Sequence, residues 1–206
     1  MIRDIQLIVL DGQPGGGKDF FLQMLEADPW FMRNAVIETE AAALLYTAHK
    51  VQPGEFGTVS QDTIDAFQNA IASLCMFKRS LAVDRAVRDG KKLVVFNRFI
   101  PSGAAYLQWG IVDLMAITNL SEVEMNSGID HVICPGPPPE EHYVTNEYRF
   151  ETYAEACVLG ARARQAYIDL GFVPGTTLHD IPGGDDFDAK CALFMATIRQ
   201  LTGAEH

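Results

Sequence analysis

Residues 5–19, Ile5-Gln-Leu-Ile-Val-Leu-Asp-Gly-Gln-Pro-Gly-Gly-Gly-Lys-Asp19, decide how the chain is read. Ile5 to Leu10 is a short apolar run with β-branched residues at its centre, the pattern of a buried strand. It breaks into Gly12-Gln13-Pro14-Gly15-Gly16-Gly17-Lys18, which fits the phosphate-binding template G-x-x-x-x-G-K. Four glycines fall within six positions, 12–17. Glycine costs backbone entropy wherever it sits, so such density marks a backbone that takes positive φ or comes close to another group. The N–H groups of this loop would wrap a di- or triphosphate, with Lys18 reaching the terminal phosphates. The residues from Phe20 onward can form the helix whose N-terminal dipole faces those phosphates. A Gly/Pro turn with no ligand is the competing reading, and the order strand, loop, helix speaks for the phosphate site.

One letter departs from the template, which ends in Ser or Thr to ligate Mg²⁺, whereas this chain has Asp19. A carboxylate is also a hard oxygen donor for Mg²⁺. Its charge beside an anionic ligand weakens binding when no metal is present. The expected ligands are ATP or GTP with Mg²⁺. Their binding set is Gly12, Gln13, Pro14, Gly15, Gly16, Gly17, Lys18, Asp19 and Phe20, with Asp19 on the metal.

At 206 residues the chain suits one α/β domain with a substantial core. Its 48% hydrophobic and 21% charged content are those of a globular protein. No apolar run approaches the ~20 residues that span a bilayer. The start, Met1-Ile-Arg-Asp, lacks the layout of a signal peptide, so a cytoplasmic protein without membrane partners is expected. The formal charge of −11 and the scatter of the 16 basic residues argue against nucleic acid as a partner. Cys75, Cys134, Cys157 and Cys191 are far apart in apolar segments, which reads as reduced thiols rather than a metal or disulfide framework.

Beyond the loop helix, Asp28-Pro29 breaks the chain and residues 35–38 read as a second strand. Glu38 and Glu40 stand at its carboxyl end, where open α/β sheets bind ligands. They are candidates for contacting an acceptor hydroxyl or acting as its base, and equally for the ordinary acidic start of a helix over 41–49. Residues 50–60 read as a loop. Over 61–89, Ile64, Phe67, Ile71, Leu74, Phe77 and Leu81 recur at helical spacing and predict an inward stripe, with Ser60 as the cap. Residues 93–96 read as a central parallel strand. Arg98 follows it, placed for a phosphate if it is not paired with a carboxylate.

Two short helices are expected over 102–107 and 111–118, and a fourth strand over 129–134, stopped by Pro135 and the prolines after it. The polar loop that follows, up to Arg149, has the length of a mobile lid that could bring an arginine over a transferred phosphate. A helix over 151–170, a fifth strand over 176–181 and a last helix over 185–201 complete the chain. In that last helix Phe187, Cys191, Phe194, Ile198 and Leu201 form the expected inward stripe. The pattern predicts a three-layer α/β fold, a five-stranded parallel sheet flanked by helices with right-handed crossovers.

Taken in order, these residues resemble the small AAA-type predicted ATPases of kinase-like P-loop NTPase architecture, relatives of nucleoside and nucleotide kinases. The resemblance spans nearly the whole chain. It rests on Gly12 to Lys18, Glu40-Ala-Ala, Asn97-Arg98, Ala104-Ala-Tyr-Leu107, Arg149-Phe-Glu and Tyr167-Ile-Asp-Leu-Gly171. It implies one P-loop domain over 1–206 with a lid at 136–150 carrying Arg149, and an acceptor pocket near Glu38, Glu40 and Arg98. Three positions depart from the family pattern. Asp19 replaces Ser or Thr, Asn97 replaces an acidic residue, and Ala43 stands where the family has arginine.

Two functions follow as expectations. One is a kinase that moves the γ-phosphoryl of ATP to a small-molecule acceptor such as a nucleoside or nucleotide. Lys18, Arg98, Glu38, Glu40 and Arg149 would then be its catalytic residues. The other, prompted by Asp19 and Asn97, is a nucleotide-binding sensor or interaction protein with little turnover. A homodimer is compatible with either. Asp11 is left open between strand-end solvation and a supporting metal role.

Overall fold

The computed structural model describes residues 5–49, 59–126, 128–144, 151–184 and 186–204. The apolar run before the glycine loop forms β1 (Gln6–Leu10), the middle strand of a five-stranded sheet. With β2 (Ala35–Glu38), β3 (Leu93–Asn97), β4 (His131–Pro135) and β5 (Leu178–Ile181), the order is β2-β3-β1-β4-β5. Every pairing is parallel, and Ile8 lies between Val95 of β3 and His131 of β4.

Alternation along β1 feeds two cores. Leu7 and Val9 join one cluster and Ile8 and Leu10 the other, all essentially without solvent exposure. A strand covered on both faces has no polar side, so its sequence is continuously apolar. Each such side chain contributes about 1.5–3 kcal/mol by leaving water. One face is covered by α1 (Lys18–Ala27), α2 (Pro29–Asn34) and α8 (Phe187–Thr202), with the rings of Phe21 and Phe194 4.6 Å apart. The other is covered by α4 (Gln61–Arg88), α5 (Ile111–Thr118), α6 (Glu122–Asn126) and α7 (Tyr153–Asp169). The layers are helix, sheet, helix.

Several expectations are corrected by the packing. Asp28-Pro29 is a helix start as well as a break. Asp28 accepts hydrogen bonds from the N–H groups of Trp30 (2.8 Å) and Phe31 (3.3 Å), and Pro29 takes the first position of α2. Residues 100–106 form a 3₁₀ helix. Pro135 belongs to β4. The ladder donors to the β5 side are Val132 (to Thr177 O, 2.8 Å) and Gly136 (to Ile181 O, 2.7 Å), so the proline's missing donor faces β1, whose pairing has ended at Ile133.

The largest correction concerns α4. Ser60 caps it as expected, accepting from Thr63 N–H (3.3 Å). Yet its buried positions are Gln68, Ala72, Cys75, Lys78, Ala82 and Ala86, while Phe77 is 60% exposed and Leu81 36%. Small residues let the helix lie close to the sheet, while Lys78 reaches Glu38 and Thr39 at the β2 end and Gln68 borders a cavity. Phe187 in α8 is also exposed rather than inward, packed edge-on against Phe20 at 4.9 Å. Residues 50–58 of the loop expected over 50–60, and residues 145–150 of the lid expected over 136–150, Arg149 included, lie outside the described residues. Residues 136–144 hold one 3₁₀ turn, Glu140–His142. Among the described residues no helix is long and apolar enough to cross a membrane.

Candidate nucleotide and acceptor site

The glycine loop links the carboxyl end of β1 to α1. Gly12 (φ 127°), Gly15 (φ 76°) and Gly17 (φ 86°) all take backbone conformations that side chains disfavour. Gly12 also runs so close to Pro135 that a Cβ there would lie 3.0 Å from the proline carbonyl oxygen. Gly17 starts α1 with no side-chain cap, leaving the first N–H groups of a ten-residue helix to an anion. Lys18 is 6% exposed and its Nζ donates to Gln13 O at 2.8 Å. Burial, with the nearby Arg98 charge, lowers its pKa to about 7, although Glu40, Asp11 and Asp19 pull the other way. A phosphate at Lys18 would supply the counter-charge this ammonium lacks.

The loop is braced from three sides. Asp11, wholly buried at the end of β1, accepts from Gly12 N–H (2.7 Å), from the Tyr167 hydroxyl of α7 (2.7 Å) and from the Ser102 hydroxyl. Its role is thereby to fix the loop's entry. Lys190 of α8 donates to the carbonyls of Gly136 (2.6 Å) and Gly16 (3.4 Å). Gly160 of α7 packs against Gln13 so tightly that a Cβ would come within 2.6 Å of the Gln13 Cβ and 2.9 Å of its nitrogen. Nothing in the local sequence marks Lys190 or Gly160. For Asp11, a charged residue closing an apolar strand was the available signal.

The two unusual residues of the motif touch. Asn97, 5% exposed at the end of β3, donates from Nδ2 to Asp19 Oδ1 at 2.8 Å, and its Oδ1 is enclosed with no hydrogen-bond partner. One carboxylate and one neutral oxygen donor therefore meet where the kinase-like pattern also has one of each, with the two exchanged between loop and strand.

Arg98 follows in left-handed conformation (φ 61°), its N–H bonded to Leu10 O (2.9 Å). A non-glycine residue there costs of order 1–2 kcal/mol. The side chain is enclosed, lies 3.5 Å from Glu40 Oε1, and donates to the Tyr106 hydroxyl at 3.4 Å. Burial opposes the guanidinium charge, but Glu40, with Tyr106 and Asp11, outweighs it and holds the pKa well above the ordinary value.

Glu38 and Glu40 part company. Glu38 is buried against α4, 3.0 Å from Arg85 and 3.4 Å from Lys78. Lys78 also bonds the Thr39 carbonyl and, at 3.2 Å, its hydroxyl. Glu38 is thus part of a clamp on the β2 end, off the cavity wall. Glu40 is on that wall.

The cavity is about 880 Å³, within the usual range for ligand pockets. Its walls join the loop from Pro14 to Phe20, Glu40 and Arg98 to a second compartment between α3 (Ala41–His49), α4 and the 3₁₀ segment. Tyr46 of α3 stacks on Phe67 of α4, centroids 5.1 Å apart at 30°, and Ile64, Ile71, Gln68 and Tyr106 complete that compartment. Ile64, Phe67 and Ile71 of the apolar stripe of α4 therefore line this cavity, while Ile71 and Leu74 also pack against the core as expected.

This is the fold of kinase-like P-loop proteins. No family profile and no curated protein matches the sequence. Among solved structures, NadR in complex with NAD and AMP-PNP has a TM-score of 0.70 at 9% identity, covering 98% of this chain and 51% of that one. The chain thus spans about half the length of the NadR structure it matches. Thymidylate kinase from Ehrlichia chaffeensis has a TM-score of 0.58 at 17% identity, over 95% of this chain and 98% of that one. Thymidylate kinase from Candida albicans matches at 0.58 and 15%, over 98% and 94%. At such identities the likeness establishes the fold alone.

Proposed function

We propose that this protein is an ATP-dependent phosphotransferase that moves the γ-phosphoryl group to a hydroxyl of a small acceptor such as a nucleoside or nucleotide. The observation that carries this reading is one continuous cavity that joins the glycine loop to a second compartment across Glu40 and Arg98. The loop N–H groups and Lys18 hold the β- and γ-phosphates. Arg98 faces the transferred group, and Glu40 orients the acceptor hydroxyl and takes its proton as the new P–O bond forms and the bond to the departing ADP breaks. Glu38 serves the clamp at the end of β2.

Mg²⁺ suits the donors present. Asp19 and Asn97 offer hard oxygens, and the enclosed Asn97 Oδ1 lacks a partner. Bound there, the ion would neutralise phosphate charge. The residues that would hold it are Asp19 and, through its amide oxygen, Asn97.

A second reading, binding without turnover, is favoured by the 3.5 Å ion pair of Arg98 with Glu40, which draws the two groups toward each other. Mg·ATP consumption against a panel of acceptors separates the two. Acceptor-stimulated ADP release supports the transferase, and binding with no stimulation by any acceptor supports the sensor.

A further inference from the structure

Of the four buried residues of α8, Cys191, Phe194 and Ile198 join the core against the sheet, and the fourth is Lys190, 6% exposed. Its ammonium lies 5.8 Å from the centre of the Phe21 ring, and burial pushes its pKa below the ordinary lysine value. An apolar side chain of similar length would fill the same space without the cost of desolvating a charge. The charge itself therefore needs a reason.

The ammonium sits where the glycine loop meets the end of β4. Gly136, the residue after β4, accepts from Nζ at 2.6 Å. Gly136 is itself fixed, because its N–H bonds to Ile181 O (2.7 Å) and a Cβ there would lie 2.5 Å from the Gly183 nitrogen. The lysine head is thus anchored to the sheet end, and from there it stands 3.4 Å from Gly16 O in the loop. The Gly16 C=O and the Gly17 N–H belong to one trans peptide and point in opposite directions. With the carbonyl turned toward Lys190, the N–H is turned to the other side, where Gly17 lines the cavity. Lys18 holds Gln13 O at 2.8 Å, so ammonium groups engage the loop at two of its carbonyls.

Resting on the reading of this loop as a polyphosphate site, we propose that Lys190 is a positioning residue of that site, which orients the Gly16–Gly17 peptide and sets a fixed positive charge behind it. It acts through the loop backbone and does not touch the ligand. A bond to a neutral carbonyl polarises the peptide and leaves the ammonium charge in place, and inside the protein that charge is screened less than in water. Its effect falls on the phosphates and is independent of the nucleotide base.

The test is calorimetric titration of Mg·ATP and of Mg·tripolyphosphate, which carries no base, on the parent, Lys190→Gln and Lys190→Arg. Chemical denaturation of each unliganded protein accompanies it. Lys190→Gln keeps an N–H donor for Gly136 O but has no charge. It should weaken both ligands about tenfold or more, the scale of one weakly screened charge beside a polyanion. Its unliganded midpoint should be no lower than that of the parent, because a buried ammonium has been removed. Lys190→Arg keeps the charge and should hold both affinities within about threefold of the parent.

Parent-like affinity in Lys190→Gln, or equal weakening in both variants, would overturn the proposal. So would a loss of affinity accompanied by a lowered midpoint, the mark of a lysine needed only to hold the fold. The expected pattern without acceptor-stimulated ADP release supports the proposal and overturns the phosphotransferase reading instead. Stimulated ADP release with parent-like binding in Lys190→Gln does the reverse. Binding of neither ligand by the parent overturns both.

Discussion

At the loop end of the cavity the ligand-facing atoms are backbone N–H groups and one lysine. At the other end they are side chains drawn from α3, α4 and the 3₁₀ segment. The first end depends on backbone conformation, and Gly12, Gly15 and Gly17 are required by their φ angles whatever surrounds them. The second depends on which face of α4 (Gln61–Arg88) turns toward the sheet, and that was decided by small residues packing at close range. The proposed phosphate site is therefore a local property of about seven residues, whereas the compartment proposed for the acceptor forms only once three separate segments have docked.

The largest effect should come from the loop end. Lys18→Ala is expected to weaken nucleotide binding by about 2 kcal/mol or more, the scale of a lost charged partner, with the fold retained. Calorimetry on the variant checks this, and unchanged affinity would break the assignment of the loop. Asp11→Ala should act on the same end through stability. It strands the Tyr167 and Ser102 hydroxyls and the Gly12 N–H, at a cost of about 1–3 kcal/mol, read as a lower denaturation midpoint. Gly160→Ala should cost a comparable amount by overpacking, and should weaken nucleotide binding because the added methyl meets Gln13.

A smaller effect separates the two ends by pH. With a pKa of about 7, Lys18 is largely neutral at pH 8 in the unliganded protein, and a bound phosphate restores its charge. Nucleotide binding at pH 8 should then take up a proton, and the uptake should fade as pH falls well below 7. Titration in buffers of different ionisation enthalpy reads it, and Lys18→Met should abolish it. The linkage to folding runs in the same direction. A lysine whose pKa is lowered on folding destabilises the unliganded protein at low pH, so its penalty is relieved as pH rises from about 7 toward the unfolded value of 10.5. The smallest effect belongs to Phe77→Ser, expected within about 0.5 kcal/mol of the parent in chemical denaturation because the ring is 60% exposed. A large loss would mean that α4 does bury the stripe its sequence suggests.

These contrasts explain what could be read in advance. The five strands, their order of appearance and the loop followed from apolar runs broken by glycine and proline, which are local signals. The helix at Pro29–Asn34 escapes a local reading because Asp28-Pro29 reads as a stop, although the same pair is a cap and first turn. Periodicity alone assigns the stripe of α4 to the core. Periodicity shows that Ile64, Phe67 and Ile71 share a face, but cannot distinguish a core from an apolar cavity wall. Glu38 and Glu40 stood as equals in the sequence, and only the positions of Lys78, Arg85 and Arg98 separate them. Lys190 carries no signal at all, since its place is set by two carbonyls from distant segments.

The exchange between Asp19 and Asn97 bears most directly on whether the loop end is a working nucleotide site. The decisive measurement is calorimetric titration of ATP with and without Mg²⁺ on the parent, on Asp19→Thr and on Asp19→Thr/Asn97→Asp. Mg²⁺-dependent binding is expected in the parent. In Asp19→Thr, metal-free binding should strengthen and the Mg²⁺ dependence should be lost. The double variant, with the carboxylate moved to the strand, should regain that dependence. Absence of ATP binding in the parent under both conditions, or equal Mg²⁺ dependence in all three proteins, would contradict it.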